Sequence, residues 1–258
     1  MMRDSEITIN GLKINYKIFG EGNPFLVLHG WGSNSDRWAP IAEEISNGVP
    51  GGPGPFEVIV PDLPGFGKSD AILEPWNTNK YINFIEEFLR LLEIKDFYIL
   101  GHSFGGALAS KIAVKHAQEV KKLFLVSAAC VRKKTAQKSF FRKIAKVAKL
   151  FYFLPYYGFI RKAIYKFIIR KSDYVYVEGV MKQTYLNVVA EDLSFHLPFI
   201  KVPTVIIWGD KDEFTPIEDA HLINKKIKNS KLINIPSAGH DLNRKQPEAL
   251  AEAVLQNI

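Results

Sequence analysis

Ser103 lies at the centre of Gly101-His102-Ser103-Phe104-Gly105. An apolar run, Phe97 to Leu100, precedes this G-x-S-x-G pattern, and the small residues Gly106, Ala107 and Ala109 follow it. That combination predicts a sharp strand-to-helix turn with an exposed hydroxyl at its apex. A serine hydroxyl is a weak nucleophile at neutral pH. It needs a base to take its proton, and the base needs a partner that fixes its tautomer. Both follow downstream, in the order Ser, acid, His. The apolar run Thr204 to Trp208 leads into Gly209-Asp210-Lys211-Asp212, and Leu232 to Ile235 leads into Pro236-Ser237-Ala238-Gly239-His240. His240, at a strand end and preceded by glycine, is assigned as general base and Asp212 as the acid that orients it. Asp210 adjoins the strand end and reads as a turn cap. No acid follows Leu123 to Val126, where the chain runs Ser127-Ala128-Ala129.

Acyl transfer also needs donors for a developing oxyanion. The N–H of Phe104, just after the candidate nucleophile, is one. The other is assigned to Trp31 in His29-Gly30-Trp31-Gly32, which follows the apolar run Phe25 to Leu28. His29 and His102 flank this centre. Both read as structural, and His29 is kept as a candidate substrate contact. His116, His196 and His221 read as surface or core residues. The chemistry calls for no metal and no organic cofactor.

These residues need strands that end close together. Ile7, Ile9, Leu12, Ile14, Tyr16 and Ile18 alternate around Asn10-Gly11, which predicts an opening β-hairpin. Strands follow at Phe25–Leu28, Phe56–Val60, Phe97–Leu100, Leu123–Val126, Thr204–Trp208 and Leu232–Ile235. Helices are predicted near 36–46, 79–92, 105–116, 217–227 and 248–258, and a Gly/Pro loop at 48–55. Strands alternating with helices predict an α/β fold with a mostly parallel sheet covered on both faces. The alternation stops over 131–197, which reads as an all-helical insertion.

The motifs His29-Gly30-Trp31-Gly32, Asp62-Leu63-Pro64-Gly65-Phe66-Gly67-Lys68-Ser69, Gly101-His102-Ser103-Phe104-Gly105-Gly106, Trp208-Gly209-Asp210-Lys211-Asp212 and Ala238-Gly239-His240 resemble, in order, those of the α/β-hydrolase superfamily. The resemblance runs from about residue 7 to the C-terminus, apart from the insertion. It is strongest to carboxylesterases and meta-cleavage-product (carbon–carbon bond) hydrolases. It implies an eight-stranded sheet with an antiparallel second strand, a core of residues 1–130 and 198–258, and a helical cap at 131–197. Epoxide hydrolases and haloalkane dehalogenases share the scaffold but use an aspartate nucleophile, so Ser103 argues against both.

The expected activity is hydrolysis of a small to medium hydrophobic ester through an acyl-enzyme. Phe151, Tyr152, Phe153, Tyr156 and Tyr157 of the insertion are candidates to line an acyl pocket. Two other readings use the same residues: carbon–carbon bond hydrolysis of a dienoic diketo acid, and a slow-turnover ligand-binding receptor.

The 258 residues suit one large domain with an insertion. The net charge of +7 is concentrated in one segment. Cys130 to Lys171 holds thirteen Lys and Arg and no Asp or Glu, leaving 21 basic against 27 acidic residues elsewhere. Phe140, Phe141, Ile144, Val147, Ala148 and Phe151 fall near helical spacing there, with Lys138, Arg142, Lys143, Lys146 and Lys149 between them. The favoured reading is an apolar face covering the site and a solvated basic face. Peripheral contact with an anionic membrane is the competing one. No nucleic-acid recognition motif accompanies the charge. One cysteine, Cys130, allows no intrachain disulfide, and the charged N-terminus does not read as a signal peptide, which fits a cytoplasmic setting.

Overall fold

Asn10 and Gly11 sit at φ values of 49° and 81°. Two consecutive positive φ angles make the primed turn that matches the twist of paired strands. In this computed structural model, which describes residues 2–48, 54–132 and 178–258, the turn joins β1 (Met2–Ile9) to β2 (Leu12–Phe19), with Ile9 opposite Leu12. The remaining strands are β3 (Asn23–Leu28), β4 (Phe56–Pro61), β5 (Phe97–His102), β6 (Val120–Val126), β7 (Thr204–Gly209) and β8 (Ser230–Ile235). They form one eight-stranded sheet in the order β1-β2-β4-β3-β5-β6-β7-β8. The β1/β2 and β2/β4 pairs are antiparallel and every other pair is parallel. The α/β-hydrolase sheet expected from the sequence is therefore present, antiparallel second strand included.

Side chains alternate across the sheet at period two, so each strand feeds two cores. Leu26, Leu28, Ile99, Leu125 and Ile206 pack on one face against α2 (Thr78–Leu91), α3 (Phe104–Lys115) and α5 (Ile217–Lys226). Phe25, Val27, Leu100, Phe124 and Val205 pack on the other against α1 (Ala39–Asn47) and α7 (Pro247–Leu255). Each such side chain, once fully buried, contributes roughly 1.5–3 kcal/mol relative to an exposed one. Burial on both faces explains why the central strands read as unbroken apolar runs.

The helix predicted at 36–46 is split. Ser35–Trp38 forms a 3₁₀ turn capped by Asn34, whose Oδ1 accepts from the Arg37 N–H, and α1 starts afresh at Ala39. Pro40 in its first turn has no N–H to donate and so fits only near a helix start. The closing helix expected at 248–258 forms as α7, opened by Pro247, and a short helix not expected from the sequence, α6 (Leu242–Lys245), precedes it.

Of the stretch expected to be inserted, residues 133–177 lie outside the described residues, including Phe151, Tyr152, Phe153, Tyr156 and Tyr157 and nearly all of the basic segment. Its C-terminal part forms α4 (Gly179–Ala190). The Trp76 N–H donates to Thr184 Oγ1 at 3.0 Å, and Asn187 Nδ2 donates to the Trp76 carbonyl at 3.1 Å. Beyond α4, Lys111 on α3 reaches Glu191 at 2.8 Å. Among the described residues no helix is long and apolar enough to cross a membrane.

Candidate active site

β5 ends at His102, α3 begins at Phe104, and Ser103 between them takes φ 51° and ψ −112°. A non-glycine residue in that region is strained and persists only where its surroundings impose it. The Ser103 N–H donates to the Val126 carbonyl at 3.0 Å, and its own carbonyl accepts from Ala107 and Ala129 at 3.1 and 2.9 Å. Gly105 lets α3 press onto β3, since a Cβ there would lie 2.0 Å from the Leu28 carbonyl oxygen.

This close approach brings the start of α3 beside the loop after β3. Phe104 is the first residue of α3, so its N–H has no intrahelical acceptor. Among the described residues neither the Phe104 nor the Trp31 N–H makes a hydrogen bond. The Trp31 ring packs edge-on against Phe66, Phe104 and Tyr185, with centroids 4.9, 5.6 and 5.1 Å away. That box holds the loop between the core and α4.

His240 follows β8, and its Nε2 lies 3.0 Å from Ser103 Oγ. Its Nδ1 lies 2.8 Å from Oδ2 of Asp212, whose side chain is fully buried after β7. The carboxylate can only accept, so Nδ1–H donates to it and Nε2 is left to accept the serine proton. Asp210 is exposed, and of the two aspartates the structure brings Asp212 to the histidine. Burial pushes the Asp212 carboxyl up. The hydrogen bond and charge of His240, with the Thr215 N–H and hydroxyl, outweigh it and hold the group below the usual carboxylate range. Oδ1 accepts from the N–H groups of Phe214 and Thr215, both at 2.9 Å, and Oδ2 accepts from the Thr215 hydroxyl at 2.8 Å.

His102 is buried and supports the centre from below. Its Nε2–H donates to the His240 carbonyl at 2.9 Å, while Nδ1 has no partner. Burial first, then the nearby His240, pushes its pKa down to about 3, so the ring is neutral at ordinary pH. His29 does not reach the cleft as a substrate contact would require. It is fully buried, with Nδ1–H donating to the Gly30 carbonyl at 2.8 Å and Nε2 accepting from the Leu63 N–H at 3.0 Å. Both ring nitrogens are spent fixing the backbone of its own loop and of the Asp62–Ser69 segment. Burial lowers its pKa, consistent with that neutral tautomer.

Asp62 fastens the same region, accepting from Asn15 Nδ2, the Ser35 N–H and the Lys68 N–H. Its motif was visible in the sequence, but this bracing role was not. Thr215 was missed altogether; its only signal is a hydroxyl three residues after an acid, the spacing of a local side-chain turn.

A cleft of about 230 Å³ opens over Ser103 and His240, walled by Gly30, Trp31, Phe214, Asn243 and two residues sequence reasoning did not select, Arg37 and Arg244. Cys130 is buried, its thiol pushed up to about 11 by burial, and stands apart from this chemistry.

The arrangement, a poised hydroxyl, an oriented imidazole and two free N–H groups, is competent for acyl transfer. Among known proteins, the chain is 26% identical over 237 residues to "Lipase 1" of Psychrobacter immobilis, covering 85% of this chain and 71% of that one. It is 28% identical to "Pimeloyl-[acyl-carrier protein] methyl ester esterase" of Wigglesworthia glossinidia brevipalpis, covering 87% of this chain and 90% of the other. The structure of a hydrolase from Pseudomonas aeruginosa superposes with a TM-score of 0.74 at 21% identity, covering 98% and 97% of the two chains. Residues 23–164 match the family model described as alpha/beta hydrolase fold. With its sheet order, its strand-end loops and this match in agreement, the chain belongs to the alpha/beta hydrolase fold family.

Proposed function

We propose that the protein is a serine hydrolase that cleaves carboxylic esters through an acyl-enzyme. The observation that carries this reading is the continuous chain Ser103 Oγ, His240 Nε2, His240 Nδ1 and Asp212 Oδ2, with steps of 3.0 and 2.8 Å. Ser103 Oγ bonds to the ester carbonyl carbon as its proton passes to His240 Nε2. The carbonyl oxygen becomes an oxyanion held by the N–H groups of Phe104 and Trp31. As that intermediate collapses, the ester C–O bond breaks and the departing alkoxide takes the proton back from His240. Water then repeats the sequence on the acyl-Ser103 ester and releases the acid. Asp212 stays ionised throughout and stabilises the imidazolium. Losing one oxyanion donor typically costs about a hundred- to a thousandfold in turnover.

The substrate proposed is a small to medium hydrophobic ester, a reading supported by relatives that carry lipase and esterase names. Residues 131–197 are proposed as a cap over the site, with the aromatic residues Phe151 to Tyr157 contributing to its acyl pocket. Neither metal nor organic cofactor takes part in this scheme.

The test is labelling with a fluorophosphonate probe beside a p-nitrophenyl ester panel of increasing acyl length. Wild-type protein should take the probe on Ser103 and turn over the esters, and Ser103→Ala should do neither. Equal ester turnover by Ser103→Ala would end the proposal.

A further inference from the structure

We propose that the ester hydrolysed here carries an anionic oxygen group, a carboxylate or a phosphate, on its alcohol portion, and that Arg37 and Arg244 bind it. The inference rests on the ester-hydrolase reading above. The departing alkoxide must take its proton from His240 Nε2, so the alcohol portion lies on the His240 side of Ser103. The cleft over Ser103 and His240 is lined by Phe214, Asn243 and two arginines, and the short helix that carries Arg244 just after His240 contacts the 3₁₀ turn that carries Arg37.

The arginines come from unrelated segments. Arg37 belongs to the 3₁₀ turn that follows the Trp31 loop, and Arg244 lies on α6, four residues after His240. Each backbone is pinned locally. The Arg37 N–H donates to Asn34 Oδ1 at 3.2 Å, and the Arg244 N–H donates to the Asp241 carbonyl at 3.0 Å. The backbone that carries each arginine is therefore held locally, and both residues line the cleft.

Their charge is incompletely matched by the protein. Among the described residues Asp241 is the one carboxylate lining the cleft. Its Oδ2 lies 3.9 Å from Arg244 Nη1, beyond hydrogen-bond distance. Arg37 makes no ion pair among the described residues, and its neighbour Asp36 is engaged by Lys17 at 3.1 Å. Two arginines thus share the cleft with one loosely held carboxylate. The guanidinium fork matches carboxylate and phosphate oxygens in a way that a neutral alcohol cannot exploit.

The experiment compares two ester pairs, each matched except for charge on the alcohol side. One pair is the butyrate of 4-hydroxybenzoate against that of methyl 4-hydroxybenzoate. The other is a monoacylglycerol phosphate against the monoacylglycerol of the same chain. The readout is the ratio of kcat/KM, charged ester over neutral. In wild-type protein the ratio should exceed one for at least one pair, and the responding pair identifies the oxyanion as carboxylate or phosphate. Arg37→Gln and Arg244→Gln should each lower that ratio by about three- to tenfold, the scale of one exposed charge-assisted contact. Both side chains are solvent-exposed, so neither substitution empties the core. Lys231→Gln, which removes a positive charge at the opposite end of the sheet, should leave the ratio unchanged.

Ratios at or below one in both pairs, or ratios that the arginine variants do not move, would overturn the inference. Esters cleaved without regard to charge leave the hydrolase reading intact and remove only this one. Esters left uncleaved by a protein that also refuses the fluorophosphonate remove both.

Discussion

Replacing His102 with Gln should make the protein less sensitive to mild acid. In the folded chain the ring is buried and its pKa is about 3, against 6.5 for an ordinary histidine. Between those values the unfolded chain binds a proton that the folded chain does not. Stability is therefore lost as pH falls through that window, by about 1.4 kcal/mol per pH unit once well below 6.5. From pH 7 to pH 5 the loss comes to about 2 kcal/mol, because at pH 5 the native ring is still neutral. Glutamine cannot take up the proton, yet it keeps an N–H that can reach toward the His240 carbonyl. His29, buried and neutral in both proteins, acts in the same direction and cancels from the comparison. Asp212 is held below the usual carboxylate range, which already lies beneath the pH 5 to 7 window. The assay is urea unfolding at both pH values for both proteins. Wild-type protein should lose about 2 kcal/mol more than the variant between pH 7 and pH 5. Equal losses would mean that the His102 ring is protonated or hydrated in the folded state, and the account of the site floor would be wrong.

Thr215→Val removes the hydroxyl that donates to Asp212 Oδ2. A hydrogen bond to a charged group is worth about 1.5–3 kcal/mol, so kcat on a p-nitrophenyl ester should fall about ten- to a hundredfold. Thr215→Ser should recover most of it, and a serine variant as poor as the valine one would show that the hydroxyl is not what matters. Gly105→Ala puts a methyl 2.0 Å from the Leu28 carbonyl oxygen, so α3 must move. The expected cost is at least about 1–3 kcal/mol, seen as a lower thermal unfolding midpoint; an unchanged midpoint refutes the close packing. For His116, burial lowers the pKa, but hydrogen bonds to Glu86 and Glu119 raise it further, for a net rise. Its contribution is full below the unfolded pKa and is lost as pH rises through the folded one. His116→Gln should therefore be destabilising at pH 6 and less so at pH 9, and a gap that does not narrow in urea unfolding refutes the pairing.

How much of this was legible in the sequence follows from what each residue depends on. Ser103, Asp212, His240 and the Trp31 loop could be placed because each sits just past a strand that announces itself as an apolar run. Parallel strands in one sheet end on the same side, and β3, β5, β6, β7 and β8 are successive neighbours. Reading the strands therefore already brought the four loops to one edge. The register completes this: Leu28 pairs with Gly101, His102 with Val126, Ile207 with Val126, and Gly209 with Ile235. What stayed hidden depends on loop paths rather than on strand ends. Thr215 matters because the loop after β7 curls so that one side chain and two N–H groups close on the same carboxylate. His29 looked like a neighbour of the cleft by position, but the Leu63 N–H turns its ring inward. Arg37 and Arg244 share no spacing at all, and they line one cleft because a 3₁₀ turn and a one-turn helix pack together beside the same opening. Strand ends bring the proposed catalytic groups together, and the loops above them supply the charges proposed to recognise the alcohol. The first is written in hydrophobic periodicity, and the second appears only when the chain is folded.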